Sequence, residues 1–172
     1  MTSGLRRFTL TVHVVTSVGW IGAVAVFLAL SVVGLTSPDD EAVRGVYLAM
    51  EPIGWAVLVP LSFASLLTGL VQSLGTKWGL FRHYWVLIKL VINVAATTIL
   101  LLYMQTLAYL AGIAAASPPG DVSGLRDPSP ALHAGVGIVL LLVAATLSVY
   151  KPRGMTRYGQ RRQRTRSAAP AG

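Results

Sequence analysis

Three histidines, one lysine and two side-chain amides, set within or beside apolar stretches, carry most of the chemistry open to this 172-residue chain. Two histidines at matched depth on facing helices can ligate a haem iron axially, and His13 and His83 are the pair at similar depth. Gln72 and Lys89 fall at the same end, so His13, Gln72, His83 and Lys89 are expected to converge there. Lys89, Asn93 and Thr97 recur every four residues and form one helical stripe that begins at Trp85; together with Gln72 they outline a polar path. A lysine about five residues inside an apolar helix either snorkels to the headgroups or faces the bundle interior with a polar partner. His133 lies at the opposite end, where Glu51 and the loop aspartates are its natural neighbours for a metal ion held by His133 and Glu51.

The same inventory excludes several chemistries. All six carboxylates lie in Asp39–Glu51 and Asp121–Asp127, at the end away from His13. A nucleophile–base–orienter triad cannot assemble from groups so separated, and no catalytic residues are assigned. No glycine-rich phosphate loop or zinc-protease histidine pair occurs. With no cysteine, disulfides, thiolate metal sites and iron–sulfur clusters are absent. Met1, Met50, Met104 and Met155 are scattered, which does not suit copper(I).

The elements that must position these residues are long apolar runs. Hydrophobic residues make up 54% of the chain and charged residues 12%, against roughly 25% charged in soluble domains. A membrane-spanning helix needs about 20 apolar residues, and four stretches qualify: about 8–36, 52–74, 84–110 and 130–150. The fold class is therefore all-α, an antiparallel four-helix transmembrane bundle in residues 1–150. Arg6, Arg7 and Ala23-Val24-Ala25 loosely fit a cleaved signal peptide, but the first run is about twice the usual 7–15-residue apolar core. Ser37-Pro38-Asp39-Asp40 stops the first helix and opens a short interfacial helix through Tyr47. Pro60 predicts a kink in the second span. Residues 111–129 read as an irregular loop. Ser62, Ser65, Gly69 and Gln72 form a stripe in the second span, and His13, Ser17 and Trp20 share a face of the first. Gly19 with Ala23, and Ala131 with Gly135, are small-residue pairs suited to helix contact.

Net charge is +8, with seven of the fourteen basic residues after Tyr150. Arg6, Arg7, Lys77, Arg82 and the tail fall on one side and every acidic residue on the other. Lysine and arginine stay cytoplasmic, which predicts both termini inside (N-in/C-in) in a bacterial cytoplasmic membrane. Trp55, Trp78, Tyr84, Trp85 and Tyr150 sit near run ends, as interfacial aromatics do. Residues 151–172 read as a basic, disordered cytoplasmic tail that lies on anionic lipid headgroups. The basic charge is placed for lipid, and no nucleic acid is expected.

The segment Val12-His13-Val14-Val15-Thr16-Ser17-Val18-Gly19-Trp20-Ile21-Gly22 resembles the opening of a bacterial, actinobacterial-type family of small integral membrane proteins of unknown function. The stretch from Leu67 to Lys89, Leu-Thr-Gly-Leu-Val-Gln-Ser-Leu-Gly-Thr-Lys-Trp-Gly-Leu-Phe-Arg-His-Tyr-Trp-Val-Leu-Ile-Lys, resembles it too. More distantly, His13 followed by Trp20 and Gly22 is similar to copper-resistance D-like and haem-associated four-helix membrane families. That resemblance implies His13 as the position most like a family ligand.

Three readings follow. The first is a non-enzymatic accessory or structural membrane subunit, with a homo-oligomeric or membrane-protein partner. The second is a haem-binding, cytochrome-like protein using His13 and His83. The third is a small oligomeric transporter with a path along Lys89, Asn93 and Gln72.

Overall fold

The computed structural model describes residues 2–75, 80–118, 120–152 and 154–161. Lys77, Trp78, Arg153 and the tail beyond residue 161 lie outside the described residues. The first helix, α1 (Ser3–Thr36), opens where the Thr2 hydroxyl accepts the Leu5 N–H. It begins five residues before the apolar run, carrying Arg6 and Arg7 on its first turns. Ser37 and Pro38 end it. Asp39 then caps α2 (Asp40–Ile53) by accepting the Glu41 N–H at 3.0 Å, and Asp40 and Glu41 place negative charge at the positive end of the helix dipole.

The second helix does not stop at Tyr47 or at Pro52. A π-helical turn, Gly54–Leu58, joins it to α3 (Val59–Gly75), giving continuous helix from Asp40 to Gly75. The predicted kink at Pro60 thus takes the form of a wide turn. A proline lacks an N–H and crowds the carbonyl four residues earlier, here that of Ala56, which lies within that turn. The Val59 N–H instead reaches the Gly54 carbonyl.

α4 (Tyr84–Ala116) and α5 (Ser129–Tyr150) complete four helices long and apolar enough to cross a membrane. α4 runs six residues past the predicted end at Leu110 because α2 and the following loop cover its last turns: Leu110 and Ala114 are buried with Val43, Tyr47, Val122 and Leu125. The Tyr103 hydroxyl lies 3.0 Å from the Ser129 hydroxyl at the start of α5. Residues 104–116 therefore extend about 20 Å beyond that level, at 1.5 Å per residue. α2 packs beside this extension.

The main core joins Trp20 and Phe27 of α1, Met50 of α2, Leu58 of the π turn, Met104 and Leu107 of α4, and Leu141 of α5. Gly54 is what lets Met104 in, since a Cβ there would lie 2.8 Å from the Met104 methyl. Val24, inside the cleavage-like Ala23-Val24-Ala25, sits in this core. The outward surface is oily along the helices; Val15, Val91, Leu102 and Val139 are all exposed.

The start of the tail departs from the disorder predicted for it. Lys151 adopts a left-handed conformation (φ 43°) that ends α5. Residues 154–161 then return to the α3–α4 connection. The Thr156 N–H donates to the Arg82 carbonyl at 3.0 Å, the Thr156 hydroxyl donates to the Phe81 carbonyl, and Met155 bridges His83 in antiparallel fashion. Gly159 is required by this approach: a Cβ there would lie 2.6 Å from the Arg82 oxygen. Apart from the Thr156 hydroxyl these are backbone bonds, which a charged and polar composition neither predicts nor forbids.

Candidate functional site

The end where Thr9 meets Gln72 and Tyr84 meets Gly154 is the basic end, and the end carrying the carboxylates is the acidic end. At the basic end the two polar stripes meet face to face. His13 Nδ1 lies 3.0 Å from Thr68 Oγ1, and the Ser17 and Ser65 hydroxyls are 2.8 Å apart. Gln72 donates to the Thr9 hydroxyl at 3.4 Å. Gly69 forms the niche for the imidazole, since a Cβ there would stand 3.0 Å from His13 Cε1. On α1, Gly19 faces Leu61 in the same seam. Thr68 was the missing member of the seam, since it lies one residue off the stripe that ends at Gln72.

The hydrogen bonds fix the His13 tautomer. A threonine hydroxyl has one proton to donate, and Thr68 gives its proton to the Ala64 carbonyl at 2.6 Å. His13 Nδ1 therefore donates to Thr68, which leaves the Nε2 lone pair as an acceptor. This is the tautomer of a lone metal or haem ligand, and equally of a histidine that helps two helices pack.

Lys89 lies near enough to the seam for its charge to act on His13, and the other predicted residues make contacts of their own. His83 precedes α4 in extended conformation, with its ring 6.5 Å from that of Trp85. Asn93 donates back to the Lys89 carbonyl on its own helix at 3.1 Å, whereas Gln72 is engaged with α1. Thr97, which continues the Lys89–Asn93 stripe, is buried with no partner for its hydroxyl among the described residues. Trp85 turns inward instead of outward; it is 9% exposed, while Trp55 and Tyr84 are half exposed. The Lys89 ammonium lies 5.9 Å from the centre of the Trp85 ring, a cation–π distance.

At the acidic end, His133 stacks on Tyr103 with ring centres 3.9 Å apart. Its Nδ1 is 2.9 Å from the Ser129 carbonyl, which only accepts, so this nitrogen carries the proton. Sequence reading misses this cluster because Tyr103 lies in the middle of an apolar run. The Glu51 backbone carbonyl accepts the Gly54 N–H within the second helix. No group of three or more histidine and acidic side chains fit to hold a metal occurs among the described residues.

The small-residue pair of α5 does not form the helix contact expected of it. A Cβ on Gly135 would meet no atom within 4 Å, and Ala131 and Gly135 line a shallow outward groove with Leu132, Val136, Val139 and Leu140. Gly137 faces Val24 of α1 instead. Comparison of the chain with protein-family models, with curated proteins and with solved structures finds no match.

Proposed function

We propose that this chain is a multi-pass integral protein of a bacterial cytoplasmic membrane, its four spans antiparallel and both termini cytoplasmic, acting as a non-enzymatic accessory or structural subunit. One observation carries the reading. The four helices are apolar on their outward faces, and all six acidic residues gather at one end while the basic residues, save Arg44 and Arg126, gather at or near the other. Lipid accepts such a surface, and the retention of lysine and arginine in the cytoplasm orients it.

The seam between α1 and α3 supports a packing role for the intramembrane polar groups. His13, Ser17, Ser65, Thr68 and Gln72 satisfy one another or nearby carbonyls, which is how polar side chains join helices in hydrocarbon. Partner proteins, or further copies of the chain, would meet it through its lipid-facing helices.

The reading is tested by expression with reporters at each terminus and in the loop of residues 117–128. Termini readable only from the cytoplasm, a loop readable only from outside and resistance to carbonate extraction are the expected results. A C-terminal reporter active outside the cytoplasm overturns the orientation. A Soret band in protein from haem-replete cells, lost in His13→Ala, would replace the structural role with haem binding.

A further inference from the structure

Most hydroxyls on the apolar helices are satisfied by their own backbone. Thr16, Ser31, Thr68, Ser73, Thr146 and Ser148 each donate to a carbonyl four residues back. Among the side-chain amides of the spans, Gln72 and Asn93 are both engaged. Gln105 of α4 is the exception: it faces outward and makes no hydrogen bond among the described residues. Thr98, two helical turns earlier on the same face, is likewise exposed and without a hydrogen bond among the described residues. The rest of that face is apolar. Val91, Thr98 and Gln105 stand seven residues apart, with Ala95, Leu102 and Tyr109 at the same interval beside them, and all are exposed. A Cβ on Gly112, one interval past Gln105, would meet no atom within 4 Å.

Hydrocarbon gives an amide nothing to bond with, and a neighbouring helix that supplies a polar partner removes that cost. The face stays apolar past Gln105, at Tyr109 and Gly112, so the amide sits within the oily surface and not at its edge. A seven-residue repeat keeps two parallel helices in contact along their length. Copies of one membrane protein share one orientation, so a two-fold axis along the membrane normal sets their α4 helices parallel and brings each residue opposite itself. A glutamine amide carries both donors and an acceptor, so Gln105 satisfies the Gln105 of a second copy with no other chemistry required. One polar residue in such a seam also fixes its register and the number of helices. The groove on α5 is lined by apolar residues throughout, and lipid chains suit it as they stand.

We infer that two copies of this chain associate in the membrane through α4, with Gln105 bonded to its counterpart and Leu102 and Tyr109 packed around the pair. The inference rests on the membrane-spanning reading above and names that protein's partner as a second copy, met on one defined face.

The chain has no cysteine, so single introduced cysteines report which faces meet. Under mild oxidation in native membranes, Leu102→Cys and Tyr109→Cys should give a disulfide-linked dimer, and Val139→Cys in the α5 groove should not. In liposomes holding the full chain with fluorophores at its N-terminus, energy transfer between copies should exceed the random level and fall on dilution with lipid. Gln105→Leu should weaken association about tenfold, as loss of hydrogen bonding between helices implies, and Gln105→Asn should keep most of it. Circular dichroism checks that each variant is folded. Gly112→Leu, whose side chain meets open space within one copy, serves should Gln105→Leu fail that check, and should weaken association likewise. Dimers through Val139→Cys in place of the α4 positions, an adduct whose mass marks a different protein, random transfer in the wild type, or wild-type association in folded Gln105→Leu each overturn the inference. Those outcomes in a carbonate-resistant protein leave the membrane reading standing; release of the wild type by carbonate defeats the membrane reading itself.

Discussion

The two ends of the bundle are held by different physics. At the acidic end, side chains do the holding. Arg126 donates to the Leu35 and Ser37 carbonyls at 3.2 and 2.9 Å and pairs with Asp40 at 3.4 Å, and Arg44 donates to the Ala115 carbonyl. Val122 and Leu125 plug the space beneath, against Tyr47 and Ala114. At the basic end, the returning tail is held by main-chain hydrogen bonds and one threonine hydroxyl. The contrast teaches that one end closes through charged and aromatic side chains, whereas the returning segment at the other fastens largely through backbone groups that any sequence carries.

The largest expected break in this comparison is Tyr47→Ala. Tyr47 is 1% exposed, and its ring packs 3.2 Å from where a Cβ on Gly34 would be. Loss of a buried aromatic costs about 3–5 kcal/mol, so thermal unfolding in detergent should fall steeply, with proteolysis entering first at residues 117–128. An unchanged melting temperature would mean that the acidic end is not held by its packing. Next comes Arg126→Ala. Hydrogen bonds from a charged donor contribute about 1.5–3 kcal/mol, reduced to about 1–2 kcal/mol for an exposed group. Hydrogen exchange should rise in the loop while the helices stay protected. High salt should weaken the wild-type clamp little, because two of its three acceptors are carbonyls.

Gly159→Ala addresses the basic end. The added methyl collides with the Arg82 carbonyl, and displacement of the tail should cost about 1 kcal/mol. Faster exchange at the Thr156 and Tyr84 amides, with an unchanged melting temperature, is the expected signature; an effect on global melting would make the tail part of the core. Smallest is Ser123→Ala. The Asp121 carboxyl, fully exposed, is held below the ordinary carboxylate range by the Ser123 hydroxyl and N–H. Its depressed folded-state value means that the turn is favoured above the ordinary carboxylate pH and loosens as pH falls through the folded value. Removing the hydroxyl should raise the Asp121 titration midpoint by NMR, without measurable change in stability.

Much of the architecture is legible in the sequence because long apolar runs follow simple rules. Four apolar runs of sufficient length became four long helices, and both polar stripes, His13–Ser17 and Ser65–Gly69, recur at helical spacing. What the residues could not show is which face meets which, and so Thr68 was missed. Val122 and Leu125 are isolated apolar residues among Pro, Gly, Ser and Asp, and their burial depends on α2 and α4 standing above the start of α5. The docking of the tail uses backbone groups common to all residues, so only Gly159 marks it. Trp85 has the position of an interfacial aromatic and the burial of a core one, a choice made by Lys89 and the chain crossing at Gly154.

The wide turn at Gly54–Leu58 sets the phase of the second span. Ser62 follows Met50 by twelve residues, which in an unbroken α-helix would swing it about 120° around the axis. The surplus residue of a π turn takes roughly 100° of that rotation back. Both side chains are consequently buried on one continuous helix, Met50 in the main core and Ser62 with its hydroxyl on the Val59 carbonyl. Deleting a single residue from this turn would rotate His13's niche at Gly69 away from the ring that fills it, while leaving every amino acid of the seam in place.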